Sequence, residues 1–188
     1  MFRERKVENT MIATGKAAPN LRFKIMSIGF KFRNFFLPRK NILKEIGIKP
    51  GYHVLDFGCG PGAYITGTSE LVGKSGIVYA LDVHPLAIQM VQGIASKNQL
   101  KNIEIIQSDC KTGLADRSVD VVLLYDVLHG LRDRKGVLEE LHRVLKSTGI
   151  LSLSDHHLKE NEIMSRVTSE GLFSLSSKGK KTYSFFKK

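Results

Sequence analysis

The chain has 188 residues, 42% of them hydrophobic and 25% charged, which is the size and composition of a single globular domain with a real core. No apolar run approaches the ~20 residues of a membrane-spanning helix, and two cysteines are too few for a disulfide scaffold. The formal charge of +11 sits at the ends: residues 1–40 carry +8 and residues 174–188 carry +5, leaving the middle at −2. Such asymmetry points to an anionic partner, or to solubility and steering of an anionic acceptor.

Residues 1–19 are polar and lack periodicity, which predicts a mobile or loosely packed arm. They hold no continuous apolar core of a secretory signal. Cys59 and Cys110 lack Cys-x-x-Cys spacing and read as reduced thiols, so the expected location is cytoplasmic. Residues 20–36 hold five of the ten phenylalanines, interleaved with Arg22, Lys24, Lys31 and Arg33. The reading is a helix broken at Gly29 and ended by Pro38. It would serve as a lid over an acceptor pocket, an interfacial membrane helix or a dimer contact, with the lid preferred. The resulting division is a basic, phenylalanine-rich segment 1–40 and a main domain 41–188.

From residue 41 strands and helices alternate, which argues for a parallel sheet covered on both faces. Strands are expected near 53–57, 77–82, 103–107, 119–124 and 149–154, and helices near 39–46, 62–72, 85–97, 135–145 and 159–170. Residues 172–176 and 182–186 are joined by a short glycine-containing link. Such a link cannot cross over in parallel, so they form an antiparallel hairpin. The first strand runs into Asp56 and a turn with glycines at 58, 60 and 62, where a helix begins. Glycine lets the backbone approach a ligand closely. Asp82 ends the second strand, roughly 20 residues on, where a ribose-binding acid belongs. Asp109 closes the third.

A dinucleotide site would read Gly-x-Gly-x-x-Gly and would place a pyrophosphate at the helix N-terminus. Here the turn is one residue tighter, and Asp56 would repel a pyrophosphate. Three acids fit a ligand with a ribose, an amine, a positive charge and no phosphate; S-adenosylmethionine is such a molecule. Taken singly, the acids have plainer readings: Asp56 and Asp109 as turn residues, Asp82 as a helix cap, although His84 is better placed with Pro85 at the first helical position.

With Val119–His129 following, the chain resembles a class I S-adenosylmethionine-dependent methyltransferase. The branch is the small-molecule one that includes the ubiquinone and menaquinone biosynthesis C-methyltransferases. The resemblance covers roughly residues 41–188. It implies an α/β, Rossmann-like doubly wound sheet of seven strands, mostly parallel, with one antiparallel strand from the C-terminal hairpin. It also implies a methionine end held by Asp56, Gly58, Cys59, Gly60 and Gly62. Asp82 would take the ribose hydroxyls, Val83 would lie against adenine, and Asp109 would accept from the adenine amino group with Cys110 beside it. Tyr125 would line the floor near the sulfonium.

Methyl transfer from a sulfonium needs chiefly alignment of the acceptor, and an oxygen or activated-carbon acceptor must also lose a proton. Imidazole suits that work. His129 follows the fourth strand, and Asp155, His156 and His157 follow the fifth; His129 and His156 are the catalytic candidates. Core packing, helix capping or simple exposure are the alternatives for each. No ligand spacing supports a metal site. His53 and His142 read as structural. No Asn-Pro-Pro-Tyr or Asp-Pro-Pro-Tyr follows the fourth strand, which argues against amino-methyltransferases of adenine and glutamine. The expected partner is a small, partly apolar acceptor, with an anionic membrane surface as a peripheral contact. An RNA methyltransferase and a non-catalytic cofactor-binding subunit are the competing functions. The sequence sets no oligomeric state.

Overall fold

The computed structural model describes residues 3–6 and 39–188. The helix expected at 20–36 lies outside the described residues. The elements run β1 (Arg3–Lys6), α1 (Arg39–Glu45), β2 (His53–Phe57), α2 (Ile65–Val72), β3 (Ile77–Asp82), α3 (Pro85–Lys97), β4 (Ile103–Gln107) and β5 (Val119–Tyr125). A 3₁₀ turn (Leu128–Gly130), α4 (Arg134–Val144), β6 (Leu145–Ser154), α5 (Glu160–Thr168), β7 (Phe173–Lys178) and β8 (Tyr183–Lys187) complete it.

The strands form one sheet in the order β1-β4-β3-β2-β5-β6-β8-β7. All pairings are parallel except those that β8 makes with β6 and β7. This is the doubly wound arrangement with a hairpin-derived antiparallel strand, and all seven expected strands are present. An eighth, β1, extends the edge. Residues 3–6 were expected within a loose arm; instead they pair with Glu104–Gln107 of β4. An edge strand needs backbone pairing on one side only and tolerates charge, so Arg-Glu-Arg-Lys gives no apolar pattern to read.

Alternation along β5 divides the core. Val121, Leu123 and Tyr125 join Val54, Ile65, Val78, Ile88 and Val91 on one face, while Val122 and Leu124 join Leu55, Leu81, Leu138, Leu141 and Phe185 on the other. Burial on both faces is why these strands read as unbroken apolar runs. After β2 the chain winds outward through β3 and β4, then returns to place β5 on the other side of β2. The order reverses there, and the carboxyl ends of β2 and β5 flank the crevice where such sheets bind ligands.

Local chemistry sets the ends. α3 begins as expected: Pro85 opens it and the His84 ring nitrogen accepts from the Leu86 N–H at 3.1 Å. Asp133 caps α4 by accepting from the Gly136 N–H at 2.9 Å. α2 starts at Ile65, later than expected, because residues 58–64 are spent in the glycine turn. β6 begins at Leu145, which pairs with Val119 before a register shift.

Candidate functional site

The glycine turn sits at the end of β2. Gly58, Gly60 and Gly62 have φ of 75°, 51° and 78°, in the left-handed region that penalises any side chain. A Cβ at Gly58 would come within 2.5 Å of Val127, and one at Gly62 within 2.8 Å of Ile94. Gly60 differs: a Cβ there would meet nothing within 4 Å, so the turn leaves open space at its middle. The N–H groups of Gly58 and Cys59 donate to the Leu81 carbonyl at 2.8 and 2.9 Å, which ties the turn to β3.

Asp82 ends β3 and is buried. One of its oxygens accepts from the Gly60 N–H at 2.9 Å, the other from the His84 N–H at 2.8 Å. Burial raises its pKa, against the lowering effect of those backbone hydrogen bonds. Val83, next along, is one of the few large apolar residues left exposed among the described residues, at 38%. The Ser108 N–H donates to the Asp82 carbonyl at 3.1 Å, so the loop carrying Asp109 and Cys110 is held beside it. β4 itself ends at Gln107, and Asp109 lies two residues beyond, partly buried. Asp56 is the buried penultimate residue of β2, Asp82 ends β3, and Asp109 follows β4, the strands being neighbours in the sheet.

The two thiols are poor nucleophiles. Burial pushes Cys59 well up, and Asp82 and Asp56 add to it; burial also pushes Cys110 to about 11, helped by Glu140, Asp133 and Asp109. Tyr125 is 6% exposed and its ring packs edge-on against Tyr64 at 4.9 Å. Its hydroxyl shares a hydrogen bond with Ser152 at 2.8 Å, and burial raises its pKa, so the phenol is a neutral packing group.

Beyond β5 and β6 lies a second constellation. His129 sits on the 3₁₀ turn, and its Nδ1 meets the two Asp155 oxygens at 3.1 and 2.9 Å. The His129 backbone N–H also donates to Asp155 at 3.0 Å, as does that of His157. A carboxylate accepts from an N–H, so a ring proton sits on Nδ1, and in the neutral tautomer Nε2 is the acceptor. The Asp155 side chain is fully buried, whereas that of His129 is 35% exposed. His156 makes a similar pair with Asp126, Nδ1 to carboxylate 2.6 Å, in a more exposed setting. His157 lies between them, its ring 4.2 Å from His129 and 3.8 Å from His156.

Asp126 was not singled out from the sequence. It adopts φ 56°, a strained conformation for a non-glycine residue, and its N–H donates to the Ser154 carbonyl at 2.7 Å. Nothing local in the sequence marks a carboxylate whose partner lies 30 residues away. Val127, beside it, is the residue that Gly58 accommodates, so the imidazole loop packs on the glycine turn. His53 and His142 take structural places, against Tyr79 and against the Lys188 carbonyl with Phe173. Among the described residues no cluster could hold a metal ion.

These residues fit S-adenosylmethionine chemically. The turn leaves open space at Gly60 that a Cβ would enter, and carboxylates suit an ammonium, ribose hydroxyls and an exocyclic amine.

Comparison with known proteins gives a consistent result. A family pattern described as a methyltransferase domain matches residues 48–188. Demethylmenaquinone methyltransferase of Alkalihalophilus pseudofirmus is 28% identical over 129 residues, 68% of this chain and 55% of that protein. An aklanonic acid methyltransferase of Streptomyces sp. is 34% identical over 124 residues, 64% of this chain and 56% of that one. The chain thus spans little more than half the length of these relatives. A SAM-dependent methyltransferase from Aquifex aeolicus superposes with a TM-score of 0.71 at 27% identity, covering 84% of this chain and 96% of that one. A putative S-adenosyl-L-methionine-dependent methyltransferase from Methanococcus maripaludis gives a TM-score of 0.75 at 16% identity, covering 95% and 97%, a likeness of fold.

Proposed function

The chain belongs to the methyltransferase-domain family, and we propose that it transfers a methyl group from S-adenosylmethionine to a small, partly apolar acceptor. One observation carries the reading: a glycine turn with open space at Gly60, tied through the Gly60 N–H to Asp82, packs through Val127 against the loop that bears His129. Bound there, S-adenosylmethionine supplies a methyl on a sulfonium, which needs alignment more than activation.

Asp56 and the turn of Gly58, Cys59, Gly60 and Gly62 hold the methionine end. Asp82, already fixed by two backbone N–H groups, has lone pairs left for the ribose hydroxyls. Val83 offers the adenine an apolar surface, and Asp109, beside Cys110, accepts from its amino group. Buried Tyr125 closes the floor. His129 takes the acceptor's proton at Nε2, and Asp155 keeps the Nδ1 proton in place and stabilises the imidazolium that forms. His156, held by Asp126, lies on the same side and orients or deprotonates the acceptor. A quinone-like or other lipophilic acceptor is supported by relatives named for demethylmenaquinone and aklanonic acid. The basic ends support collection of such an acceptor at an anionic membrane surface.

Calorimetric titration of the purified protein tests the reading. Binding of S-adenosylmethionine and S-adenosylhomocysteine at micromolar affinity, with none of NAD, is expected, and a screen of lipophilic phenols and quinones would then identify the acceptor. Absence of binding by either adenosyl compound would overturn it.

A further inference from the structure

The segment from Ser108 to Ser118, between β4 and β5, contains no helix or strand. It nevertheless has a fixed course, and α4 supplies the fixings. Glu140 accepts at one oxygen from the Thr112 N–H at 2.8 Å and from the Thr112 hydroxyl at 2.6 Å. That hydroxyl accepts in turn from the Leu114 N–H at 3.1 Å. Arg143 forks onto Glu140, Nε to Oε2 at 2.9 Å and Nη2 to Oε1 at 2.8 Å, and its Nη1 reaches Asp116. The carbonyls of Arg143 and Val144 then receive the N–H groups of Arg117 and Ser118 at 3.0 and 2.9 Å.

Residues three apart share a helix face, so Glu140 and Arg143 grip the loop near both its ends. Thr112 is fully buried and the Glu140 side chain is 11% exposed. Burial pushes the Glu140 carboxyl up, but hydrogen bonds from Arg143 and Thr112 outweigh this and hold it below its usual range. A carboxylate this buried is a costly way to cover a helix face. The Glu140 carboxylate accepts four hydrogen bonds, two from Arg143 and two from Thr112, which lies three residues from Asp109.

We propose that Glu140 and Arg143 are positioning residues for the cofactor's base: they hold the 109–116 segment so that Asp109 faces an adenine amino group, and so set the preference for adenine. The inference rests on the role given to Asp109 above. Hypoxanthine carries a carbonyl where adenine carries the amine, and an N1–H where adenine has an acceptor, so a carboxylate held toward the 6-position loses its charge-assisted hydrogen bond and meets a carbonyl oxygen instead. The wild-type protein should bind S-adenosylhomocysteine about tenfold or more tightly than S-inosylhomocysteine.

The test is calorimetry of both ligands with the full chain. In Glu140→Gln the preference should fall below about threefold while both ligands still bind, and in an Asp109→Asn background the same change should alter the ratio no further. A merely structural Glu140 would weaken both ligands equally and leave the ratio intact, which would overturn the proposal. If Glu140→Gln does not melt cooperatively, Thr112→Val removes the hydroxyl's bonds to Glu140 and from Leu114 and must lower the ratio for the proposal to stand. A wild type that binds neither ligand overturns the cofactor reading and this proposal together. A wild type that binds both ligands equally, or variants that keep the wild-type ratio, overturn this proposal alone.

Discussion

Gly60 and its neighbours show how differently three glycines of one turn can matter. All three have positive φ, so alanine at any of them carries a backbone penalty of about 1 kcal/mol. At Gly58 and Gly62 the added carbon also collides with Val127 and Ile94. At Gly60 it enters empty space. Gly60→Ala should therefore lower the melting temperature by only about 2–4 °C, yet weaken S-adenosylmethionine binding by about tenfold or more, because that space is filled. Thermal melts paired with calorimetry read both effects. Unchanged affinity would mean that the open space is not where the cofactor lies. Asp155 offers a second separation. Asparagine there sets an amide against the His129 ring and loses the preferred tautomer. Turnover should fall by about 10²-fold or more, while the cofactor dissociation constant moves by less than about twofold. Parallel loss of both would reduce Asp155 to a structural residue.

Among the elements, the sequence speaks clearly wherever the signal is local. The apolar run of β5, the His84-Pro85 start of α3 and the glycine turn after β2 are each written within a few residues, and each stands where it was expected. What escaped is what long-range pairing decides. β1 is recognisable only from the edge that β4 offers it. Asp126 gains meaning only from His156, and Glu140 only from Thr112, 28 residues away. Neither the hydrophobic period nor a cap signal encodes such contacts. The Glu140 clamp predicts a pH dependence. An acid whose folded pKa is depressed contributes stability above its unfolded value, which for Glu140 is 4.5, and loses it as the pH falls through the lower folded value. The difference in melting temperature between wild type and Glu140→Gln should be largest above that value and close as the solution is acidified below it. A difference that stays constant from about pH 3 to pH 7 would show that the charge on Glu140 is irrelevant to the clamp.

For the molecule as a whole, the unequal charge is the property least explained by the fold. Among the described residues no helix is long and apolar enough to cross a membrane. The five lysines of residues 174–188 are not equivalent. Lys178 pairs with Glu160, and Lys187 donates to the carbonyls of His142 and Leu145 at 2.8 and 3.1 Å. Burial also lowers the Lys187 pKa. Lys178 is itself exposed, as are Lys180, Lys181 and Lys188, and Lys180 and Lys181 stand at the turn of the β7–β8 hairpin. Each basic residue near an anionic bilayer contributes about 1 kcal/mol, and salt screens it within a Debye length of about 8–10 Å. The full chain should therefore sediment with vesicles of about 30% anionic lipid at low salt, leave them at about 0.5 M salt, and ignore zwitterionic vesicles. Replacing Lys180 and Lys181 by alanine should weaken that binding by about tenfold or more. If the double variant binds as wild type does, the hairpin turn faces away from the bilayer and residues 1–40, with their charge of +8, carry the contact. If no vesicle is bound at low salt, the basic ends act on the acceptor or on solubility, and the acceptor screen should turn from lipophilic phenols to soluble anions.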